Sequence, residues 1–198
     1  MDLYKLHQLI YNEITMPRLS KEFKQAIKEI PIEELQKMMI QFASKNREIY
    51  DFINLKYVDG YNAEEELFEE TKEKISDEIL FPGERGIVQK NLAKAITKSV
   101  GYINHFVKVS KNKNREADLL RGLLDGVFEN YANELGTCWT AFDSKLAVTT
   151  NRLYNLVTKK LHEDYRIEYR EDLNRFLNIL HSGSNYLDYV NEMPKSLV

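Results

Sequence analysis

Apolar residues recur at helical spacing along most of this chain, from about residue 32 to residue 190. In the segment 88–109 they are separated by four, four, three and four residues, and lysines lie between them. This spacing places apolar side chains on one face of a helix and polar side chains on the other. The apolar positions are Leu92, Ile96, Val100, Ile103 and Val107. We predict a helix with one buried face here.

Three further stretches in the second half show the same pattern, and a short last helix is predicted over 185–191. The predicted buried faces are Leu120, Leu124, Val127, Tyr131 and Leu135 in the helix 115–135, then Phe142, Leu146, Thr149, Leu153, Leu156 and Val157, then Tyr165, Tyr169, Leu173, Phe176, Leu177 and Leu180. The connections between these helices are short. Consecutive helices are therefore expected to be antiparallel neighbours.

The first half is divided into shorter predicted helices. Pro17 and Pro31 bracket a helix near 19–30, because proline lacks the amide hydrogen that a helix interior needs. A longer helix is predicted to end near Leu80, before an irregular loop over 81–86. Two further core faces are predicted at Ile32, Leu35, Met39 and Phe42, and at Ile49, Phe52, Ile53 and Leu55.

Polar residues and glycine mark the predicted helix ends. Asn46 and Asn114 are expected to cap helices, because a short side-chain oxygen can accept from the free amides of the first turn. Asn62 followed by Glu65 has the order of a capping box. Gly136 is expected to end the helix before it, since glycine adopts the left-handed conformation at least cost.

These patterns predict an all-α fold. Period-two alternation is scarce, and no Asn-Gly or Asp-Gly hairpin turn occurs. The helices suit either an antiparallel bundle or a short stack of αα-hairpins, and no repeat of fixed period decides between them. We predict a single helical domain over 1–198, with an N-terminal helical extension over 1–30 and a main helical unit over 31–193.

Composition narrows the classes of partner and compartment. The 28 basic and 31 acidic residues are mixed along the chain and give a net charge of −3, which disfavours nucleic acid as a partner. No signal peptide and no membrane-spanning run are evident, so no membrane partner is expected. The one cysteine, Cys138, forms no intramolecular disulfide. We predict a cytoplasmic protein.

Histidines and carboxylates are the first candidates for metal or acid–base chemistry. The four histidines are His7, His105, His162 and His181. No two have the spacing that places imidazoles on one helix face around a metal. A denser group consists of His162, Glu163, Glu168 and Asp172, and the acidic run consists of Glu64, Glu65, Glu66, Glu69, Glu70 and Glu73. Solvated surface accounts for both groups, and we predict no metal site and no cofactor.

Other candidates also have simpler structural interpretations. Cys138 is predicted to fill a small buried apolar position, and Trp139 to anchor the core. The loop 82–86 lacks the spacing of a phosphate loop, so a structural turn is favoured. A basic cluster lies at Lys108, Lys111, Lys113 and Arg115, but no aromatic platform for RNA accompanies it. We favour a solvated loop for this cluster.

The order of features from Pro31 onwards resembles an uncharacterised bacterial all-helical family, the DUF6155 type. The resemblance covers about 32–190 and leaves 1–30 outside. It rests on Glu34-Leu35 through Asn46-Arg47, Asp51-Phe52-Ile53, Lys72 to Ile75, Phe81-Pro82, Ala93-Lys94-Ala95-Ile96, and Gly126-Val127-Phe128 through Tyr131 to Gly136. It implies an α-helical fold and no established activity, so no catalytic or binding residue is carried over.

The leading functional hypothesis is a non-enzymatic helical scaffold or adaptor that binds another protein, with Arg85 and Tyr61 as contact residues. The alternative is an enzyme that acts on a small molecule or through a metal, with its site assembled between helices. His105 or His162 within reach of two inward-facing carboxylates would favour the enzyme. RNA binding is a third class, and homo-oligomerisation is compatible with all three.

Overall fold

The computed structural model describes residues 18–83 and 85–197. The inferences on His7, on Pro17 and on residues 1–17 of the N-terminal extension lie outside the described residues, as does position 84 of the loop 82–86. The described chain falls into two compact units, one that ends at Lys45 and one that begins at Asn46. No strand is present in either described part, which confirms the all-α prediction.

The first unit contains helices α1 (Lys21–Glu29) and α2 (Ile32–Lys45). Ser20 caps α1, since its hydroxyl oxygen accepts from the Phe23 amide at 3.1 Å. The core face predicted for α2 is wrong, because Ile32, Met39 and Phe42 are exposed and only Leu35 is half-buried. Two helices of this length have too little surface to enclose an apolar face.

The second unit begins with helix α3, a π-helical turn and then a series of long helices. Their bounds are Arg47–Ile53 for α3, Asn54–Val58 for the π-helix, Gly60–Leu80 for α4, Val88–Ser110 for α5, Lys113–Tyr131 for α6, Ala141–Lys159 for α7, Glu163–Gly183 for α8 and Leu187–Glu192 for α9. A short 3₁₀ turn follows α6 at Ala132–Glu134. None of the described helices is long and apolar enough to cross a bilayer.

Helices α4 to α8 form a stack of αα-hairpins. Each of them packs chiefly against the next helix and the next but one. Glu78 near the end of α4 binds Lys98, whereas Glu64 near its start accepts from Ser110, so α4 and α5 are antiparallel. This packing places α4, α6 and α8 in one layer and α5 and α7 in the other. Of the two architectures left open by the sequence, the stack is the one that the helix packing supports.

The core lies between the two layers and is built from the predicted stripes. Leu92 and Ile103 of α5, Leu124 of α6 and Leu173 of α8 are fully buried. Phe128 and Phe176 stack with their ring centroids 4.9 Å apart. Each large apolar side chain removed from water stabilises the fold by roughly 1.5–3 kcal/mol. The second predicted core face in the first half holds only in part, because Phe52 is exposed while Ile49, Ile53 and Leu55 are half-buried.

Three further predicted core residues, beyond those of the first half, also lie at the surface. Trp139 is 40% exposed in the loop before α7, and the Lys90 ammonium covers its ring 4.2 Å from the centroid. Cys138 in the same loop is exposed. Tyr165, in the first turn of α8, is also exposed. None of the three lies in the middle turns of a long helix, which are the turns whose side chains are enclosed by neighbouring helices.

The helix ends agree with the sequence at Asn46 and differ at three other places. Asn46 caps α3, accepting from the amides of Glu48 and Ile49. Helix α6 ends at Tyr131 rather than at Leu135, so Gly136, which has the left-handed φ of 76°, lies in the loop beyond the 3₁₀ turn and does not end the helix. Asn112 rather than Asn114 caps α6, since its side chain accepts from the Arg115 amide at 3.3 Å. Helix α4 begins at Gly60, before Asn62, whose amide donates to Asp59 Oδ2 at 2.8 Å.

Candidate functional site

A group of large exposed side chains surrounds the π-helix in the second unit. It consists of Tyr50, Phe52, Tyr57, Val58 and Tyr61, which we call the aromatic surface. Tyr57, Val58 and Tyr61 are 71%, 73% and 79% exposed. Scattered exposed apolar residues are ordinary on a protein, but five large ones within residues 50–61 are an unusual concentration, and exposed apolar groups of this kind are typical of an interaction site.

The π-helical turn gives this segment an unusual backbone. The Asp59 amide donates to the Asn54 carbonyl at 3.0 Å, five residues back along the chain. Single π-helical turns are rare in proteins, and those that do occur are often found at functional sites. The Lys56 ammonium lies 5.4 Å from the Phe52 ring centroid and 5.6 Å from that of Tyr57. These contacts restrict both rings while leaving them exposed.

A polar network attaches α3, and with it the aromatic surface, to the helical stack. Asp51 is 6% exposed, and its carboxylate accepts from Arg47 Nε at 2.7 Å and from His105 Nε2 of α5 at 2.8 Å. Arg47 also donates to Glu70 of α4 at 2.7 Å. We call Arg47, Asp51, Glu70 and His105 the α3 network.

Two pKa shifts follow from this geometry. The hydrogen bond to Asp51 raises the pKa of the Arg47 guanidinium, although burial opposes it. The hydrogen bond from Lys74 at 2.8 Å lowers the pKa of the Glu70 carboxyl, and Arg47 contributes to the same shift. The charged forms of Arg47 and Glu70 are therefore stabilised by their partners in this network.

A cleft of about 350 Å³ lies beside the α3 network. His105, a third exposed, lines it and is oriented by the buried Asp51 carboxylate, an arrangement that also orients catalytic imidazoles. Among the described residues, His105 hydrogen-bonds one carboxylate rather than the two that would favour an enzyme. No three His, Cys, Asp or Glu side chains in residues 18–83 and 85–197 form a group that could hold a metal.

A larger cavity of about 530 Å³ lies between α4 and α6, and we call it the α4–α6 groove. Its lining includes the apolar residues Phe68, Ile75, Ile79, Leu119 and Leu123, together with Gly122 and Gly126. These glycines lie four residues apart on one face of α6. The lining also contains the charged residues Lys72, Asp118, Arg121 and Asp125.

The α4 side of this groove continues into an acidic surface. Lys72 and Ser76 line both the groove and a shallow depression whose other residues are Glu66, Glu69, Glu70 and Glu73. Across the groove, burial and the neighbouring Asp172 raise the pKa of the Asp125 carboxyl, while the contact with Arg175 opposes them. A carboxylate crowded in this way gains from an additional nearby cation.

The two predicted contact residues lie at opposite ends of α4. Tyr61 belongs to the aromatic surface, whereas Arg85 lies in the loop after α4 and its side chain is exposed. A helix of this length, with its rise of about 1.5 Å per residue, separates them by roughly 30 Å. The Arg85 carbonyl accepts from the Asn91 side chain at 2.9 Å, which shapes the loop. One small contact therefore does not include both residues.

The basic cluster is largely neutralised by carboxylates. Lys108 binds Glu48 at 2.7 Å, and Lys113 binds Glu116 at 2.7 Å. Arg115 forms a close ion pair with Glu65 and lies 3.6 Å from Glu64. The acidic run is thus not only a solvated face, because Glu64, Glu65 and Glu70 bind residues on other helices.

The other histidine-centred group does not form a site. His162 is exposed, and its Nδ1 atom accepts from the Asp164 amide at 3.4 Å as the cap of α8. Glu163 and Glu168 are also exposed, and Asp172 lies 3.3 Å from Arg175 instead. The side chains of this group therefore do not converge.

Sequence reasoning missed the α3 network and the α4–α6 groove. Asp51 and His105 are 54 residues apart, and no local motif joins them. The groove forms between helices that are not consecutive in the chain. No family model, no curated protein and no solved structure matches this sequence. The function of this chain is therefore inferred from its own geometry.

Proposed function

We propose that this protein is a non-enzymatic helical adaptor that binds another protein through the aromatic surface. The observation that carries the proposal is the group of exposed aromatic side chains around the π-helix. Tyrosine is enriched in protein interfaces, because it provides apolar area and a hydrogen-bonding hydroxyl with little loss of side-chain entropy. Tyr57 and Tyr61 are the expected anchors.

The attachment of this surface supports the same proposal. The α3 network holds α3 against α4 and α5 through a nearly buried carboxylate. A surface held in place before binding loses less conformational freedom in the complex, which increases affinity. The exposed thiol of Cys138 suits a reducing compartment, so the proposal includes a cytoplasmic location. The proposal also includes membership of the DUF6155-type family, and that membership implies no activity.

Site-specific photo-crosslinking in the native host tests the proposal. Benzoylphenylalanine replaces Tyr57 in the full chain, and the control replaces Tyr165, an exposed tyrosine on α8. We expect a discrete adduct with another protein from position 57 and not from position 165, and its yield should fall when Tyr61→Ala is added. The same adducts from both positions, or none from position 57, would contradict the proposal. A crosslink between two copies of this chain would show that the partner is a second copy rather than a different protein.

A second candidate function is acid–base catalysis on a small molecule in the cleft beside the α3 network. The contact between His105 Nε2 and Asp51 favours it, because a buried carboxylate can fix an imidazole as a base. His105→Gln separates the two candidates, since glutamine can still donate to Asp51 but cannot act as that base. If the protein is an enzyme, the wild type should consume a compound from a metabolite extract and His105→Gln should not. If it is an adaptor, neither protein should consume a compound, and His105→Gln should retain the crosslink from position 57.

A further inference from the structure

Helix α2 has an apolar face that the other described residues leave open. It consists of Leu35, Met38, Met39 and Phe42, which we call the α2 stripe. Helical geometry places these side chains within about 100° of one another around the axis. Met39 and Phe42 are 44% and 46% exposed, and no residue of α2 is buried. The stripe is therefore accessible to a partner and would bury apolar area in a complex.

The spacing of the α2 stripe is the same when it is read in either direction. Its positions are separated by three, one and three residues, so its centre lies between Met38 and Met39. A twofold axis through this centre relates two antiparallel copies of the helix, and it brings Leu35 of one copy opposite Phe42 of the other. Every residue of the stripe then lies opposite a stripe residue of the second copy. The stripe is thus complementary to itself.

The charges beside the stripe favour the same antiparallel pairing. Glu34, in the first turn of α2, and Lys45, in the last turn, lie on the same side of the stripe, about 20° apart around the helix axis. In an antiparallel pair equal sides of the two helices face each other, so Glu34 of each copy meets Lys45 of the other. A parallel pair would place each residue beside its own copy, with like charges together. Both side chains are exposed and are absent from the ion pairs of residues 18–83 and 85–197.

We propose that α2 is a dimerisation helix, which pairs with α2 of a second copy of this chain in an antiparallel arrangement. The two stripes would pack against each other, and a pair between Glu34 and Lys45 would form at both ends. This interface has no residue in common with the aromatic surface and does not rest on the proposed adaptor function. A dimer would carry two aromatic surfaces, which increases the apparent affinity for a partner with two binding sites.

The length of α2 indicates how stable the dimer is. The helix has 14 residues, which gives a length of about 21 Å. One pair of helices of this length buries less than the roughly 1,200 Å² of a standard stable interface. We therefore expect a reversible dimer of the full chain, with a dissociation constant between roughly 1 and 100 μM in sedimentation velocity. A chain that is still monomeric at about 1 mM would overturn the proposal.

Met39→Glu locates the interface, because Met39 lies beside the twofold axis and glutamate there would place two like charges close together. Ile40→Glu is the matched control, since Ile40 is 72% exposed and lies about 150° from the middle of the stripe. Neither position is buried, so both variants should fold. We expect Met39→Glu to raise the dissociation constant at least about tenfold and Ile40→Glu to change it less than about twofold. Equal effects of the two variants, or no effect of Met39→Glu, would refute the proposal.

Charge exchange tests the antiparallel arrangement. Glu34→Lys would place lysine opposite Lys45 and should weaken the dimer about threefold or more, and adding Lys45→Glu should restore it. Glu33→Lys makes the same charge change at an exposed position on the opposite face of α2 and should have little effect. A dimer that Glu34→Lys leaves unchanged, or that Lys45→Glu does not restore, would contradict the antiparallel pairing.

The dimer and the adaptor function can be tested separately. Tyr57→Ala should leave the dissociation constant of the dimer unchanged, and Met39→Glu should retain the crosslink from position 57 to another protein. If Tyr57→Ala dissociates the dimer and Met39→Glu does not, the copies pair through the aromatic surface and the α2 proposal is wrong. Failure of the dimer proposal is therefore distinguishable from failure of the adaptor proposal.

Discussion

The carboxylate of Asp143, fully buried in α7, accepts a hydrogen bond from the backbone amide of Asn185 at 2.7 Å. The same oxygen also accepts from the Ser184 hydroxyl at 3.1 Å and from the Gly136 amide at 3.2 Å. One side chain near the start of α7 thus joins the loop after α6 to the loop after α8. The connections at this end of the stack depend on a charge that no sequence motif indicates.

Asp143→Ala should destabilise the protein by about 2–4 kcal/mol. Hydrogen bonds to a charged group contribute roughly 1.5–3 kcal/mol, and their loss leaves donors in both loops without an acceptor. Urea unfolding followed by circular dichroism measures the change. Asp77→Ala, at an exposed position on α4, should change stability by less than about 0.5 kcal/mol. Similar small changes for both variants would show that Asp143 does not hold the loops together.

The close approach of Gly136 to Gly183 predicts a second large effect. Gly136 has φ of 76°, and a Cβ atom there would lie 2.6 Å from the Gly183 carbonyl oxygen. Gly86 has φ of 96° but no heavy atom within 4 Å of its Cβ position. Gly86→Ala should therefore cost only the backbone strain of roughly 1–2 kcal/mol, and Gly136→Ala should cost clearly more. Equal loss in thermal unfolding would mean that the loop moves to remove the clash.

Apolar periodicity predicted the long helices because it is a local property of the sequence. Leu92 and Leu124 lie on stripes that determine which face of each helix is buried, wherever the neighbouring helix comes from. The apolar pattern does not show how much of each helix end is covered by neighbouring helices. Tyr165 continues the pattern of α8, but it lies in the first turn of that helix and is exposed. Trp139 lies in a loop, where no periodicity exists and hydrophobic character alone suggested burial.

The candidate sites could not be predicted in the same way. Asp51 meets His105 only because the fold places α3 beside α5, and the groove at Gly122 exists only because α6 lies parallel to α4. Such contacts depend on the order of packing, which several arrangements of the same stripes would satisfy. The π-helical turn at Asn54–Val58 likewise has no local sequence signal.

The central positions of the stripes make a direct prediction for folding. Leu173→Asp and Leu124→Asp each place an unpaired charge at a fully buried position, so we expect both variants to be unfolded at room temperature. Leu187→Asp is the control, because Leu187 is mostly exposed at the start of α9 and should retain cooperative unfolding. A normal thermal midpoint for either core variant would refute the assignment of that stripe to the core.

Glu116 predicts how stability changes in acid. Burial raises the pKa of its carboxyl, but hydrogen bonds from Lys113 and Arg152, both at 2.7 Å, outweigh burial and hold the pKa below its usual value. The lowered pKa contributes stability above the unfolded-state value of about 4.3, and this contribution is lost as the pH falls through the folded-state pKa. Glu116→Gln should therefore destabilise the protein by about 1–3 kcal/mol near neutral pH and by a smaller amount at about pH 3. A loss independent of pH in urea unfolding would contradict this sign.

The α3 network predicts a local loss of protection rather than global unfolding. Asp51→Ala removes the acceptor shared by Arg47 and His105, so α3 should open more often while α7 stays closed. Hydrogen exchange with mass spectrometry should show faster exchange in residues 47–53, and crosslinking from position 57 should fall in parallel. Glu48→Ala, which removes only the exposed ion pair to Lys108, should change both readouts little. If Asp51→Ala accelerates exchange in α3 without reducing the crosslink, the network stabilises the helix but does not position the aromatic surface for binding.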